Sequence, residues 1–261
     1  MVRRLERRDQ QRLDAFLRKR LPFSFPILGD LERWGSSGHE GELWGAFAQD
    51  ELKAVLAHSS SSVCVCGPDE TAVDELAGVL AGFADLVEID GRFETVAPYA
   101  GKVALGASHR QYMAYLRQPT FAPRYSAALE ILRAGVADAE AIASLWCRRL
   151  TQDYRARTVE LLRARLASST DRIYLARSAG LLVSTASTGQ ESPSLAMIRC
   201  AYTDPDLRDH GSAAACLSVL CRDLLAEGKT VMVLTETLAD ARIYRKVGFV
   251  PAGLWAEWRK R

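Results

Sequence analysis

The most informative segment of this 261-residue chain spans residues 203–213 and reads Thr203-Asp204-Pro205-Asp206-Leu207-Arg208-Asp209-His210-Gly211-Ser212-Ala213. It follows an apolar run typical of a β-strand and leads into a helical pattern that begins with small residues. A loop that enters a helix exposes free backbone N–H groups and the positive end of the helix dipole, and the two together bind anions. Gly211 lets the backbone approach a phosphate closely. Taken alone, this spacing is more often an ordinary turn between a strand and a helix than a ligand site.

The elements around this segment follow a regular order. From residue 128 to residue 261, hydrophobic periodicity predicts β-α-α-β-β-β-α-β-α-β, with a strand at 195–202 before the loop and a helix at 211–227 after it. Gly228 occupies the position where helices commonly end. Short turns predict antiparallel neighbours, whereas the strand–helix–strand unit around the long helix requires a parallel crossover. We therefore predict an α/β (α+β) fold with a mixed, mostly antiparallel sheet flanked by helices.

Two motifs in this half resemble those of the GNAT superfamily of acyl-CoA-dependent N-acyltransferases. The acyl-CoA loop of that family reads Arg/Gln-x-x-Gly-x-Gly/Ala, and Arg208, Gly211 and Ala213 match its three defined positions. A later run resembles the family's Tyr-x-x-x-Gly-Phe signature and reads Tyr244-Arg245-Lys246-Val247-Gly248-Phe249. The order and separation of the motifs fit the family, and the resemblance covers about residues 128–261.

The resemblance implies acetyl-CoA, or another acyl-CoA, as cosubstrate. Backbone N–H groups of the loop would hold its pyrophosphate, and the strand before the loop would lie beside its pantetheine arm. Tyr244 matches the family's tyrosine that protonates the leaving thiolate. The cofactor-binding residues expected from the resemblance are Cys200, Ala201, Tyr202, Arg208, Asp209, His210, Gly211, Ser212, Ala213 and Thr237.

Three features depart from the family pattern. Asp209 and His210 replace the glycine and the basic residue common inside the loop, and a carboxylate near a pyrophosphate is unfavourable unless it points into solvent. Thr237 stands nearest the position where the family often has an asparagine. The fourth strand carries no carboxylate at 195–198, which leaves Glu236, after the fifth strand, as the candidate general base. A solvated role for Glu236, with water carrying the proton, is the alternative.

The first half echoes the same order of elements, and we predict that it is a degenerate GNAT-like domain over residues 1–118. Its predicted elements include a helix at 9–20, a loop at 22–30, strands at 42–48, 52–58 and 63–66, a helix from Asp69 to Phe83, and strands at 86–89 and 110–116. Two prolines within five residues mark a linker at 119–127 before the acyltransferase domain at 128–261.

The place of the loop motif in the first half is taken by Cys66-Gly67-Pro68-Asp69-Glu70-Thr71. This run lacks the arginine–glycine–alanine pattern and carries two acids, so we predict that the first half binds no CoA. Trp34, His39 and Trp44 are candidates to line a pocket for the acceptor substrate, with ordinary packing or surface exposure as the alternative.

Composition narrows the class of protein. The net charge of +2 argues against a protein built to hold nucleic acid. No apolar run approaches the ~20 residues of a membrane span, so we expect a cytoplasmic protein. The six cysteines and four histidines follow no metal-binding spacing, and no metal is expected.

The function predicted is transfer of an acetyl or other acyl group from acyl-CoA to an amine of a small molecule or peptide, by an enzyme that is a monomer or a homodimer. A non-catalytic GNAT-fold protein that senses a ligand or acts as a scaffold, with a weakened CoA site, is the alternative. Asp209 and the missing base favour the alternative, and Gly211, Ala213 and Tyr244 oppose it.

Overall fold

A computed structural model describes residues 1–38, 41–67, 72–148, 151–168, 171–208 and 210–260 of the chain, with the side chains of residues 34–38 outside the description. The chain forms two compact units. Unit 1 comprises Met1–Met113 together with Ala252–Arg261, and unit 2 comprises Ala114–Pro251.

Unit 1 combines a mixed sheet with four helices. Its elements are β1 (Val2–Arg4), α1 (Gln10–Arg18), α2 (Phe25–Gly38), β2 (Gly41–Ala48), β3 (Glu51–Ser59), β4 (Ser62–Cys66), α3 (Val73–Ala81), β5 (Glu88–Arg92), α4 (Phe93–Val96) and most of β6 (Leu105–Leu116). The strands β1 to β5 are neighbours in chain order. The β4–β5 pair is parallel and the pairs before it are antiparallel.

Unit 2 repeats the same order of elements. They are β7 (Glu130–Arg133), α5 (Ala139–Trp146), α6 (Gln152–Ser168), β8 (Ile173–Ser178), β9 (Leu181–Glu191), β10 (Leu195–Thr203), α7 (Ser212–Ala226), β11 (Thr230–Thr235) and α8 (Ala241–Val247), followed by the last strand, β12 (Val250–Lys260). The β10–β11 pair is parallel, and β7 to β10 pair antiparallel. The mixed, mostly antiparallel sheet with flanking helices is therefore confirmed.

The last strand belongs mainly to unit 1. Residues 255–259 of β12 pair antiparallel with β5, from Trp255↔Arg92 to Arg259↔Glu88, and Ala256 and Trp258 are buried in the core of that unit. The sequence placed this strand in the domain at 128–261, because local periodicity predicts a strand without identifying the neighbour that it pairs with.

The predicted loop at 22–30 is wrong, because α2 begins at Phe25. Pro26 is the second residue of that helix, where the missing N–H of proline costs nothing since first-turn N–H groups have no partner within the helix. Ile27 and Leu28 are each 1% exposed, so burial of apolar side chains stabilises the helix.

Helix α7 packs into the main core of unit 2. Its buried side chains include Cys216, Leu217, Leu220 and Leu224, and they lie against strands β8 to β11. A second cluster joins α5 and α6 to the sheet through residues that include Ile142, Leu162, Ile173 and Leu175. Helix α7 therefore packs on the sheet through one cluster, and helices α5 and α6 pack on it through the other. Burial in the first cluster fixes the position of α7.

All six cysteines are free, and five of them are buried. Among the described residues, His, Cys, Asp and Glu side chains form no group of three or more suited to a metal ion. No helix in the described part of the chain has the length and apolarity that crossing a membrane requires.

The C-terminal end of α8 is held by the segment around residue 120. Gly248 ends the helix with φ of 105°, in the left-handed region, and the Ala122 N–H donates to the Val247 carbonyl at 2.9 Å. A Cβ atom on Gly248 would lie 1.9 Å from the Thr120 carbonyl oxygen. Only glycine satisfies both the backbone conformation and the close approach.

We expect Gly248→Ala to lower the free energy of unfolding by about 3 kcal/mol or more, because it combines left-handed strain with a collision against backbone. Gly228→Ala is the matched control, since Gly228 has φ of 78° and open space around its Cβ position, and it should cost about 1–2 kcal/mol. Urea unfolding of the two variants measures both values. Equal losses would contradict the close approach at Thr120.

Candidate functional site

The parallel strands β10 and β11 part from each other before they end. Their pairing runs from Leu195↔Thr230 to Ile198↔Val233, whereas β10 continues to Thr203 and β11 to Thr235. The backbone edge of β10 after Ile198 therefore lies outside the described β11 ladder. A gap between two strands with an open backbone edge can accept an extended, amide-bearing ligand.

A local irregularity accompanies the parting. In the β9–β10 pairing, Gly189 and Arg199 are skipped, since Ile198 pairs with Thr188 and Cys200 with Ser187. A Cβ on Gly189 would lie 2.7 Å from the Arg199 Nε and 2.9 Å from its Cβ, so glycine is required beside this bulge.

The bulge also changes which side chains face α7. Ala196 and Ile198 lie in the main core of unit 2, and the next β10 residue packed against that core is Ala201. The spacing between successive β10 residues that face the core therefore changes from two residues to three, as expected when one extra residue enters a strand. Cys200 and Tyr202, both half-buried, lie opposite Ser187 and Thr185 of β9.

The loop after β10 is anchored by a buried carboxylate. Asp204 is 6% exposed, accepts a hydrogen bond from the Asp206 N–H at 3.0 Å, and forms a short ion pair with Arg148. Arg148 also lies 3.4 Å from an oxygen of Asp206. The sequence did not identify Asp204 or Arg148, because the two are 56 residues apart and only the fold brings them together.

The predicted phosphate loop ends at the N-terminus of α7. Gly211 is the N-cap residue with φ of 76°, and a Cβ there would meet no atom within 4 Å, so its surroundings are open. Ser212 is buried and Ala213 is half-buried, while Arg208 and His210 are exposed. Asp209 lies outside the described residues. The N-terminal end of a 15-residue helix is therefore open at Gly211, with Arg208 exposed on the loop before it.

Tyr244 lies on the inner face of α8 and is 8% exposed. Its ring packs edge-to-face on Phe249 with a centroid distance of 5.4 Å. Burial raises the pKa of its phenol, and the nearby Cys200 and Cys221 raise that pKa further. Burial also raises the pKa of the Cys200 thiol. The phenol therefore keeps its proton at neutral pH and can act as a hydrogen-bond donor.

The two remaining predicted residues follow β11. Glu236 and Thr237 are exposed. The Thr237 hydroxyl donates to the Asp240 carboxylate at 2.6 Å and accepts from the Asp240 N–H at 3.1 Å, so it closes the turn that begins α8. The single proton of this hydroxyl is thus committed to Asp240, and the roles of Glu236 and Thr237 in the site stay predictions.

An open cavity of about 1230 Å³ lies beside the start of the loop. Helices α5 and α6, the β8–β9 turn and the residues after β10 form its walls, and its charged lining residues are Glu140, Arg148, Arg155, Glu160, Arg163, Arg177, Asp204 and Asp206. Ion pairs order part of the wall, with Arg163 2.9 Å from Glu140. This cavity could not be predicted from sequence, because its lining residues come from four separate segments of the chain.

The residues proposed for an acceptor pocket in the first half do not all fall in the described part. The side chain of Trp34 and the whole of His39 lie outside it, as do Pro68 to Thr71 of the run that replaces the loop motif. Trp44 is half-buried on β2 of unit 1, where its indole N–H donates to Glu42 at 3.0 Å.

Neither protein-family models nor curated protein sequences match the chain, but solved structures do. A tandem GNAT protein from the clavulanic acid biosynthesis pathway is 15% identical, with coverage of 99% of this chain and 97% of that one and a TM-score of 0.54. A GNAT-family acetyltransferase from Colwellia psychrerythraea is 11% identical over 100% of both chains, with a TM-score of 0.61. A GCN5-related N-acetyltransferase from Sphaerobacter thermophilus is 15% identical over 100% of this chain and 95% of that one, with a TM-score of 0.57.

These likenesses show that the chain has the GNAT fold along its whole length, so the resemblance inferred from the motifs is confirmed at the level of the fold. Sequence identities this low carry no residue roles with them. The chemistry is therefore argued from the residues of this chain.

Proposed function

We propose that unit 2 binds an acyl-CoA, with acetyl-CoA as the expected donor, and transfers its acyl group to an amine of a small molecule or peptide. The observation that carries the proposal is the gap between β10 and β11, which opens directly before the loop and the N-terminus of α7. One CoA molecule carries both its phosphates and its thioester. The helix end would bind the phosphates and the gap would take the arm with the thioester, so the two features must be adjacent.

The pyrophosphate is the anion that this helix end suits. First-turn N–H groups and the helix dipole favour negative charge, and Arg208 and His210 lie exposed on the same loop. Gly211 leaves open space where a side chain would stand. Arg148 holds Asp204, so the carboxylate nearest the strand end is paired before any phosphate arrives.

The pantetheine arm suits the open edge of β10. Its two amides can pair with backbone groups of Cys200, Ala201 and Tyr202, as an added strand pairs with a sheet edge. This arrangement directs the thioester into the gap toward Tyr244 of α8. Cys200 of β10 raises the pKa of the Tyr244 phenol.

The reaction follows from these positions. The lone pair of a neutral amine attacks the thioester carbonyl carbon, a C–N bond forms, and the C–S bond breaks so that sulfur leaves with its electron pair. The Tyr244 hydroxyl donates a hydrogen bond to the developing thiolate and supplies its proton, and the Tyr244 oxygen then regains a proton from water. The proton released by the amine passes to Glu236, directly or through water. No covalent enzyme intermediate is needed.

The alternative, a GNAT-fold protein that binds a ligand without catalysis, is supported by two observations. Thr237 uses its hydroxyl to close a turn, and the buried stretch at 195–198 offers no carboxylate near the acyl group. We place the enzyme in the cytoplasm, where six free cysteines stay reduced.

We expect Gly211→Asp to weaken acetyl-CoA binding by about tenfold or more, because it adds a carboxylate beside the pyrophosphate. Gly211→Asn is the matched control: it has the same size and a similar tolerance of left-handed φ, without the charge, and should weaken binding by about threefold at most. Calorimetric titration of the wild type and both variants gives the dissociation constants. Equal loss in both variants would mean that charge at this loop does not matter, and absence of wild-type binding would favour the scaffold alternative.

We expect Tyr244→Phe to lower kcat by about 10²-fold while the KM for acetyl-CoA stays within about twofold, since only the hydroxyl that meets the thiolate is lost. The ring contact with Phe249 remains, so stability should change little. Thiol release with an amine acceptor found by screening measures the rates. Because the phenol stays protonated, wild-type activity should show no loss from Tyr244 ionisation below about pH 10. An unchanged kcat in the variant would remove Tyr244 from the mechanism.

A further inference from the structure

Unit 1 contains an open cavity of about 680 Å³, separate from the features that bind CoA in the proposed function. It lies between one face of the sheet, at the start of β2 and the end of β3, and the C-terminal half of α3. The residues that line it include Glu42, Trp44, His58, Gly78, Phe83 and Asp85. A volume of this size is within the range of small-molecule sites.

Glycines keep the cavity open. Gly78 and Gly82 lie one turn apart at the end of α3 and face the cavity without side chains. A Cβ on Gly78 would meet no atom within 4 Å. Glycine inside a helix costs about 1 kcal/mol relative to alanine, so the open space is kept at some cost in stability.

The corresponding place in unit 2 is filled. There, between the start of β8 and the end of α7, Arg172 lies 2.7 Å from Glu191 and 2.5 Å from Glu227. Tyr174 donates to Asp223 of α7 in the same region. The order of elements is the same in both units, so the cavity of unit 1 is a feature of its side chains and not of the fold.

The ring of His58 lines this space. Its ring stacks on Phe83 with a centroid distance of 4.0 Å, and its side chain is 12% exposed. The Nε2 atom is buried and makes no hydrogen bond within the described residues, although an oxygen of Asp85 lies 3.3 Å away. The His58 and Phe83 rings therefore form an aromatic wall of the cavity beside the Asp85 carboxylate.

The charges around the cavity favour a cation. The described residues that line it include two carboxylates, Glu42 and Asp85, and no lysine or arginine. Arg4 pairs with Glu42 at 3.2 Å, which leaves Asp85, 60% exposed, as the carboxylate that a ligand can engage. The C-terminal end of α3 adds the negative end of a helix dipole, and Trp44 adds an aromatic ring suited to a cation.

We propose that this cavity binds a primary organic ammonium ion with an apolar body. The ammonium donates a hydrogen bond to the Asp85 carboxylate, and the apolar body packs against the rings of Trp44, His58 and Phe83. The site is independent of acyl transfer, because each of these residues lies in unit 1.

The test titrates the full chain with 2-phenylethylammonium chloride, followed by calorimetry. The neutral 2-phenylethanol and the anionic phenylacetate have nearly the same shape and isolate the charge. We expect saturable binding of the ammonium ion, and binding of the other two that is at least about tenfold weaker, as the loss of one charge-assisted contact implies.

Two variants locate the ligand. Gly78→Leu places an apolar side chain at a position where a Cβ meets no atom within 4 Å and where leucine suits a helix, and it should weaken ammonium binding at least about tenfold. Gly101→Leu, at another unit 1 glycine with open space around its Cβ position, is the control and should bind as the wild type does. Asp85→Asn, at an exposed position that folding tolerates, should weaken binding about threefold to tenfold.

Several results would overturn the proposal. They are lack of saturable binding by the wild type, equal binding of the alcohol, and undiminished binding by Gly78→Leu with a native thermal unfolding curve. The last result would assign the cation to another site, including the amine acceptor site proposed for unit 2. Acetyl-CoA titration reports on that function separately, so failure of one proposal leaves the other intact.

Discussion

Backbone pairing between β10 and β11 stops after Ile198↔Val233, and the proposed chemistry of unit 2 depends on that stop. Strands that stayed paired would lie about 4.8 Å apart and leave no room for a ligand arm. Gly189 of β9 and Arg199 of β10 are skipped in the pairing of those two strands at this point, and glycine is required because Arg199 lies where its side chain would be. Backbone groups of β10 beyond this point that face away from β9 then need partners from water or from a ligand.

The N-terminal end of helix α7 is the second feature of the proposed site, beside the gap, and burial of apolar side chains holds that helix in place. Its apolar residues lie in the main core of unit 2. Polar contacts add direction: the Ser218 hydroxyl accepts the Arg124 N–H at 2.8 Å, and Asp223 accepts the Tyr174 hydroxyl. A helix fixed at several points presents its N-terminal N–H groups at a constant distance from β10. Such fixed geometry is what a transfer between two bound molecules requires.

Much of the fold could be predicted from local pattern, because each element carries its own periodicity and its own end signals. Gly228 adopts a positive φ at the end of α7, as its position after the predicted helix indicated. Helix α2 was not predicted from the sequence pattern, and Pro26 lies in its first turn, where proline is tolerated. The Asp204–Arg148 pair, the β12–β5 pairing and both cavities could not be predicted, since each depends on residues far apart in the chain.

The two proposed sites differ in ligand, although the two units share one order of elements. In unit 2 the helix of the strand–helix–strand crossover has 15 residues, and its N-terminal end lies beside the gap between strands. In unit 1 the equivalent helix has nine residues, and glycines near its C-terminal end open a cavity there. The two ends of a helix carry partial charges of opposite sign, so the first suits a phosphate and the second suits a cation. Side chains then strengthen each preference, with Arg208 at one end and Asp85 at the other. The fold fixes where such sites can form, and the residues at each helix end decide which ligand they favour.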